Sequence, residues 1–159
     1  MSKTALATFA AGCFWGVEET FRTTPGVRST RVGYTGGTAP NPTYEMVCTD
    51  QTGHAEAVEV TYDPATVTYD TLLNIFFENH NPTEMNRQGP DVGSQYRSAI
   101  FFHDETQQKE AEAKVATLTA ERRFKRPIAT QIVPAEEFYP AEDYHQQYLL
   151  KRGLRSCHL

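Results

Sequence analysis

The stretch Ala5-Leu6-Ala7-Thr8-Phe9-Ala10-Ala11-Gly12-Cys13-Phe14-Trp15-Gly16-Val17 decides how this chain begins to fold. Leu6 to Ala11 is a short apolar run with the character of a buried strand. Gly12 interrupts it, and Phe14, Val17 and Phe21 then recur at helical spacing. A helix of about ten residues is expected, ending before Pro25-Gly26. Lys3 ahead of the apolar run also gives this segment the outline of a very short signal peptide with a lipidated cysteine. The helical periodicity after Cys13 argues against that reading, because it docks the segment on the body of the protein. The expected location is cytoplasmic.

Outward from this unit, Val27 to Tyr34 reads as a strand, and Gly36-Gly37 with Pro40 and Pro42 as a loop. His54 to Tyr62 alternates, with Glu56, Val58, Val60 and Tyr62 sharing one face. Asp63-Pro64 ends it, and Thr68 can cap a helix whose apolar face is Leu72, Leu73, Ile75, Phe76 and Phe77. After a loop containing Gly89-Pro90 and Gly93, a strand is expected over Tyr96 to Phe102. A helix from Glu105 to Phe124 follows, acidic at its start and basic at its end as the helix dipole favours. Ile128 to Val133 reads as a last strand and Ala141 to Lys151 as a last helix. The expectation is one α+β domain over residues 1–159. It would be a two-layer sandwich of helices on a mixed, largely antiparallel sheet with a ferredoxin-like core, ending in a mobile tail at 153–159.

Composition narrows the functions available. The chain has 159 residues, 39% hydrophobic and 22% charged, with 15 Lys+Arg against 20 Asp+Glu and a net charge of −5. A phosphate-binding groove needs a basic face, so nucleic acid is not an expected partner. The apolar runs are too short to span a bilayer. Three cysteines, Cys13, Cys48 and Cys157, are too few and too scattered for a disulfide scaffold, and their odd number leaves a thiol over. No G-x-G-x-x-G or phosphate loop suggests a nucleotide cofactor. His54-x-Glu56 has the H-x-E of zinc deaminases but lacks their P-C-x-x-C, so no metal is expected.

Gly12-Cys13-Phe14-Trp15-Gly16 is the sharpest chemical feature. A thiol at a strand-to-helix junction meets unpaired amide N–H groups, which favour the nucleophilic thiolate. The competing reading is a buried structural cysteine among core aromatics. Glu56 interrupts an apolar strand; if its face is the buried one, its pKa is raised and it becomes a general acid near neutral pH. Tyr34 and Tyr96 could each present a phenol to the same cavity, although tyrosines are more often core residues.

Four blocks together resemble the peptide methionine sulfoxide reductase A family. They are Gly12 to Gly16, Val32-Gly33-Tyr34-Thr35-Gly36-Gly37, Gly53-His54-Ala55-Glu56-Ala57-Val58, and Asn86-Arg87-Gln88-Gly89 through Gln95-Tyr96-Arg97-Ser98-Ala99-Ile100. The resemblance implies that Cys13 attacks the sulfur of a methionine S-sulfoxide, in a protein or peptide or as free methionine sulfoxide. Glu56 would protonate the sulfoxide oxygen while Tyr34 and Tyr96 donate hydrogen bonds to it. Phe14 and Trp15 would hold the methyl group, and Asp91 would position the substrate backbone. Methionine would leave, with Cys13 as a sulfenic acid. Cys157 in the tail would resolve it to a disulfide, and thioredoxin, as external reductant, would open that disulfide. Cys48 is left as a structural thiol. A monomer is the simplest assembly.

Three departures from the family pattern accompany these matches: His80-Asn81-Pro82 for His-Asp-Pro, Gly93-Ser94-Gln95 for Gly-Thr-Gln, and a short basic tail for a glycine-rich one. Two other classes remain open at the level of sequence. One is another thiol enzyme, a peroxidase or a cysteine hydrolase, the hydrolase using His54 or His80 as the base for Cys13. A peptide-binding module would use the aromatic pocket without a reactive thiol.

Overall fold

Strand β1, Ala5–Ala11, has no polar face: Ala7, Phe9 and Ala11 join one apolar cluster and Ala10 another, on opposite sides of the sheet. A strand covered on both faces belongs in the middle, and β1 pairs antiparallel with a strand on each side. This computed structural model describes residues 4–152. The remaining large elements are α1 (Phe14–Arg22), β2 (Val27–Thr35), α2 (Tyr44–Cys48), β3 (Ala55–Tyr62) and α3 (Tyr69–Glu78). A small hairpin, β4 (Arg87–Gln88) with β5 (Asp91–Val92), then leads through a 3-10 turn at Ser94–Tyr96 into β6 (Ser98–Phe102). The chain continues with α4 (Glu105–Ala120), β7 (Gln131–Pro134), β8 (Tyr139–Pro140) and α5 (Tyr148–Lys151).

The main sheet runs β7-β6-β1-β3-β2-β8, antiparallel throughout except for the parallel pair β6–β7. Its central four strands, β6-β1-β3-β2, are connected as β1-α1-β2-β3-α3-β6. That connection is the β-α-β-β-α-β arrangement of a ferredoxin-like core, as expected. Residues of α1, α3 and α4 cover one face through Phe14, Phe21, Leu72, Phe76, Ala111 and Leu118. The other face is lined by Ala10, Ala55, Ala57, Ala99 and Phe101 and covered by Ala135 and Phe138. Small residues on that side let a single loop cover it without a second helical layer. Among the described residues no helix is long and apolar enough to cross a membrane.

Local chemistry explains where elements start and stop. Thr68 caps α3 by accepting the Thr71 N–H at 3.1 Å, as its position suggested. α4 ends at Ala120 rather than Phe124. Arg122 turns left-handed at φ 53°, the Arg122 N–H reaches Thr119 O and the Arg123 N–H reaches Leu118 O. This Schellman closure puts Arg122, Arg123 and Lys125 just beyond the helix rather than in its last turn. The expected helix over 141–151 is mostly something else. Only Tyr148–Lys151 is α-helical, because Gln147 sits at φ 53° and the Gln146 side chain is bonded to the backbone of Val32. Residues 139–151 instead form a strap across β2 and α1. Helix α2 was not anticipated; it is five residues long and capped by Thr43, which accepts the Met46 N–H at 3.2 Å.

The loop leading to α2 is pinned at Gly37, whose N–H donates to His54 Nδ1 at 3.0 Å. A Cβ at this position would overlap the backbone of Gly53 and His54. Gly37→Ala is therefore expected to lower unfolding free energy by about 2–4 kcal/mol, read as a fall in the urea midpoint at unchanged m-value. An unaltered midpoint would show that this close approach is not required.

Candidate active site

Cys13 occupies the N-cap of α1, at φ −58° and ψ 120°, half-buried where β1 gives way to the helix. Two features of Gly12 set that turn. Its φ is 95°, and a Cβ there would lie 2.9 Å from both Cβ and Cγ of Gln88. Gln88 is held in turn by two bonds to the backbone of Asn81, accepting its N–H at 2.7 Å and donating to its carbonyl at 2.8 Å. The β4–β5 hairpin is thereby fixed over the junction that carries the thiol.

The first helical amide, Phe14 N–H, donates to Glu56 Oε1 at 3.2 Å. Glu56 is on β3 and 1% exposed, so its carboxyl acts as an N-terminal cap supplied from the sheet. Thiol and carboxyl, 43 positions apart in sequence (56 − 13), thus meet at one helix end.

The phenols divide differently from the sequence expectation. Tyr34 stands opposite Glu56 in the β2–β3 register but is completely buried, and its hydroxyl donates to Glu142 Oε1 at 3.0 Å. Its one proton is committed to the strap, which corrects its expected placement as a phenol presented to the open site. Tyr44, on α2, is half-buried and packs on Phe14 with ring centroids 6.4 Å apart. Burial, and then the charge of Glu56, hold the Tyr44 phenol well above its ordinary value. The same two causes act on Tyr96, to which Asp91 and Cys13 also contribute. Both phenols therefore keep their protons at any physiological pH and are hydrogen-bond donors. Asp91 is half-buried on β5 and within electrostatic reach of Tyr96.

An aromatic wall lies beside the thiol. Phe14 is 1% exposed and forms its base, contacting Tyr34, Tyr44 and His145. Trp15 is half-buried, stacks on Tyr148 with centroids 3.9 Å apart, and donates its indole N–H to His145 Nδ1 at 2.9 Å. Tyr44, Glu142, His145 and Tyr148 were missed in the sequence. The available signal was the density of acidic, amide and aromatic residues over 142–148, which suits a polar contact segment better than an amphipathic helix.

The remaining thiols and histidines have separate surroundings. Cys48 is exposed on the last turn of α2; desolvation pushes its thiol up, while a hydrogen bond from Tyr44 opposes the shift. Cys157 lies outside the described residues. His54 bonds Gly37 N–H and Ala39 O, and His80 bonds Phe76 O and Ser98 Oγ, so both rings are committed at each nitrogen. Burial lowers His80 to about 4. With both nitrogens of each ring bonded in this way, the proton transfer that a cysteine hydrolase needs would have to displace one of these bonds. Among the described residues no cluster of three His, Cys, Asp or Glu could hold a metal ion.

The family model described as peptide methionine sulfoxide reductase matches residues 5–159. The chain belongs to that family. A peptide methionine sulfoxide reductase MsrA of Acidobacterium capsulatum is 57% identical over 155 residues, which cover 98% of this chain and 99% of the relative. Among solved structures, reduced Mxr1 of Saccharomyces cerevisiae superposes with a TM-score of 0.88 at 38% identity, covering 95% of this chain and 87% of that one. Mxr1 in complex with Trx2 gives 0.65 at 28% identity, over 92% and 85%. Family membership matches the resemblance carried by the four sequence blocks.

Proposed function

We propose that the protein is a peptide-methionine (S)-S-oxide reductase in which Cys13 is the nucleophile and Glu56 the proton donor. The observation that carries the reading is the Phe14 N–H to Glu56 bond, which brings a buried carboxyl to the helix terminus that presents the thiol. Family membership supplies the reaction class; the residue roles rest on this geometry.

The Cys13 thiolate attacks the sulfur of methionine sulfoxide, favoured by the partial positive charge of the α1 N-terminus. Negative charge develops on the sulfoxide oxygen as its bond to sulfur weakens. Glu56 enters as the neutral acid and gives that oxygen its proton, while Tyr96, and Tyr44 as its hydroxyl turns from the Cys48 sulfur, donate hydrogen bonds to it. Here Tyr44 takes the role that the sequence expectation gave to Tyr34. Oxygen passes to Cys13, which is oxidised to the sulfenic acid as methionine, now reduced, departs. Trp15, with Phe14 behind it, forms the apolar wall for the methyl group, and Asp91 orients the substrate backbone. The S epimer is assigned from the resemblance to the reductase A family.

A second thiol then attacks the Cys13 sulfenic acid, releasing water and forming a disulfide. We assign that thiol to Cys157. The strap delivers the chain to Trp15 at Tyr148, two positions from the nucleophile, and Cys157 follows nine residues later (157 − 148). Cys48, with its thiol raised, is the poorer attacking group near neutral pH. Thioredoxin, by analogy with the Mxr1–Trx2 complex, reduces the disulfide by dithiol exchange. Substrates are oxidised proteins, peptides and free methionine sulfoxide. A reducing cytoplasm suits the exposed Cys48 thiol, and a monomer contains the whole proposed site.

Glu56→Gln preserves the acceptor for Phe14 N–H but has no proton to give. It is expected to fold normally and lose about 100-fold or more in kcat on a methionine sulfoxide peptide. Turnover at the wild-type rate would remove Glu56 as the acid. Tyr44→Phe should lower kcat about tenfold or more, whereas Tyr34→Phe should chiefly reduce stability, by about 1–2 kcal/mol. The reverse order would return the donor role to Tyr34. In Cys157→Ser, rapid quench is expected to find about one equivalent of methionine per enzyme and no thioredoxin-supported turnover. Sustained turnover would reassign the resolving thiol.

A further inference from the structure

Glu18 is a carboxyl that the reaction above does not use. It lies on α1, 1% exposed, one helical turn after Trp15 and on the same side of the helix. Its Oε2 accepts from Thr30 Oγ1 at 2.8 Å and its Oε1 from the Gln147 N–H at 2.6 Å. The second bond crosses from α1 to the strap. It lands on the residue held at φ 53°, a conformation disfavoured for glutamine unless the surroundings impose it.

The strap has other attachments, each short. Its ladder to β2 is two residues long, at Pro140 and Tyr139, followed by the Ala141 N–H bond to Val32 O at 2.9 Å, and Leu149 is buried. The Gln146 amide replaces a strand neighbour, bonding both N–H and C=O of Val32. Beyond these lie the contacts of Trp15 with His145 and Tyr148, and the Glu142 bonds to Tyr34 and Tyr44. Side-chain bonds therefore share with a short backbone ladder and a few buried side chains the work of holding the segment that backs Trp15.

We propose that Glu18 is a positioning residue: its carboxylate fastens residues 139–151 across α1 and so locks the Trp15 indole in the orientation that lines the substrate pocket. The part concerning substrate rests on the assignment of Trp15 made above; the fastening does not. Loss of the acceptor frees the Gln147 amide, the Tyr148 ring lifts from Trp15, and the pocket wall loses its backing.

Trp15 is the only tryptophan in the chain, so its fluorescence reports the fastening directly. In Glu18→Ala, emission is expected to move to longer wavelength and acrylamide quenching to rise, with far-UV circular dichroism unchanged. KM for a methionine sulfoxide peptide should rise about tenfold, with a smaller change in single-turnover kcat. Glu18→Gln keeps an oxygen for the Gln147 N–H and should restore both signals. Should the alanine variant not fold, Glu18→Asp, too short to reach both donors, is expected to shift the same observables in the same direction. Wild-type emission and quenching in the folded alanine or aspartate variant would overturn the proposal, as would a glutamine variant no better than alanine. A fluorescence change with unaltered KM would overturn the substrate part. A fluorescence change in variants of a protein that reduces no sulfoxide at all would leave the fastening intact and sink the proposed function instead.

Discussion

The hydrogen bond from Phe14 N–H to Glu56 is the constraint around which this molecule is arranged. A helix begins with N–H groups that have no partner within it. One of those at α1 is satisfied by a carboxyl from the adjacent sheet rather than by a serine or aspartate at the cap. The N-cap position is therefore open to cysteine, which makes no side-chain capping bond. Satisfying the helix end from β3 leaves the N-cap position to the thiol and sets the two proposed reacting groups beside one another. Gly12 and Gln88 follow from this demand, since the chain must turn sharply, and against a packed side chain, to start α1 at that point.

The strand–glycine–helix reading of residues 5–22 was legible because its signals are local: an apolar run, a breaker, and a helical repeat ended by Pro25-Gly26. The β-α-β-β-α-β core was legible for the same reason, with Thr68 capping α3 where it should. Legibility failed where structure is set by distant partners. Tyr34 is singled out in the sequence by its place next to Gly36-Gly37, and Tyr44 is not. The bond that engages the Tyr34 hydroxyl runs to Glu142, 108 residues away, which no periodicity records. Helix α2, at five residues, is shorter than the window in which a helical repeat can be recognised. Residues 141–151 read as a helix in sequence, and only Tyr148–Lys151 is one. Gln146 and Gln147 override that reading by bonding outside the segment.

The covering of the sheet explains why a small protein can place so much at one end of it. The face toward α1, α3 and α4 carries the bulky core, including stacked Phe9 and Phe21 with centroids 5.1 Å apart. The buried patch on the opposite face is four alanines and Phe101, so a loop suffices to shield it. The C-terminal part of the chain is thereby left to cross β2 and α1 at the rim of the site. There it contributes Glu142, His145 and Tyr148 as supports.

Glu142 and Glu56 show how two carboxyls near one site acquire different work. Burial acts to raise Glu142, but bonds from the Tyr44 backbone and the Tyr34 hydroxyl outweigh it and hold it below its ordinary value. It stays ionised as an acceptor, and its charge adds to the burial that keeps the Tyr34 phenol protonated. A carboxylate so engaged is a poor acid, because protonation would forfeit the two bonds that join β2, α2 and the strap. Glu56 accepts the Phe14 N–H through Oε1, and a carboxyl can accept such a bond on one oxygen while the other carries a proton. The bonds from Tyr34 and Tyr44 thus hold Glu142 as a fixed charge joining β2, α2 and the strap, while the proposed acid sits at the helix end that presents the thiol.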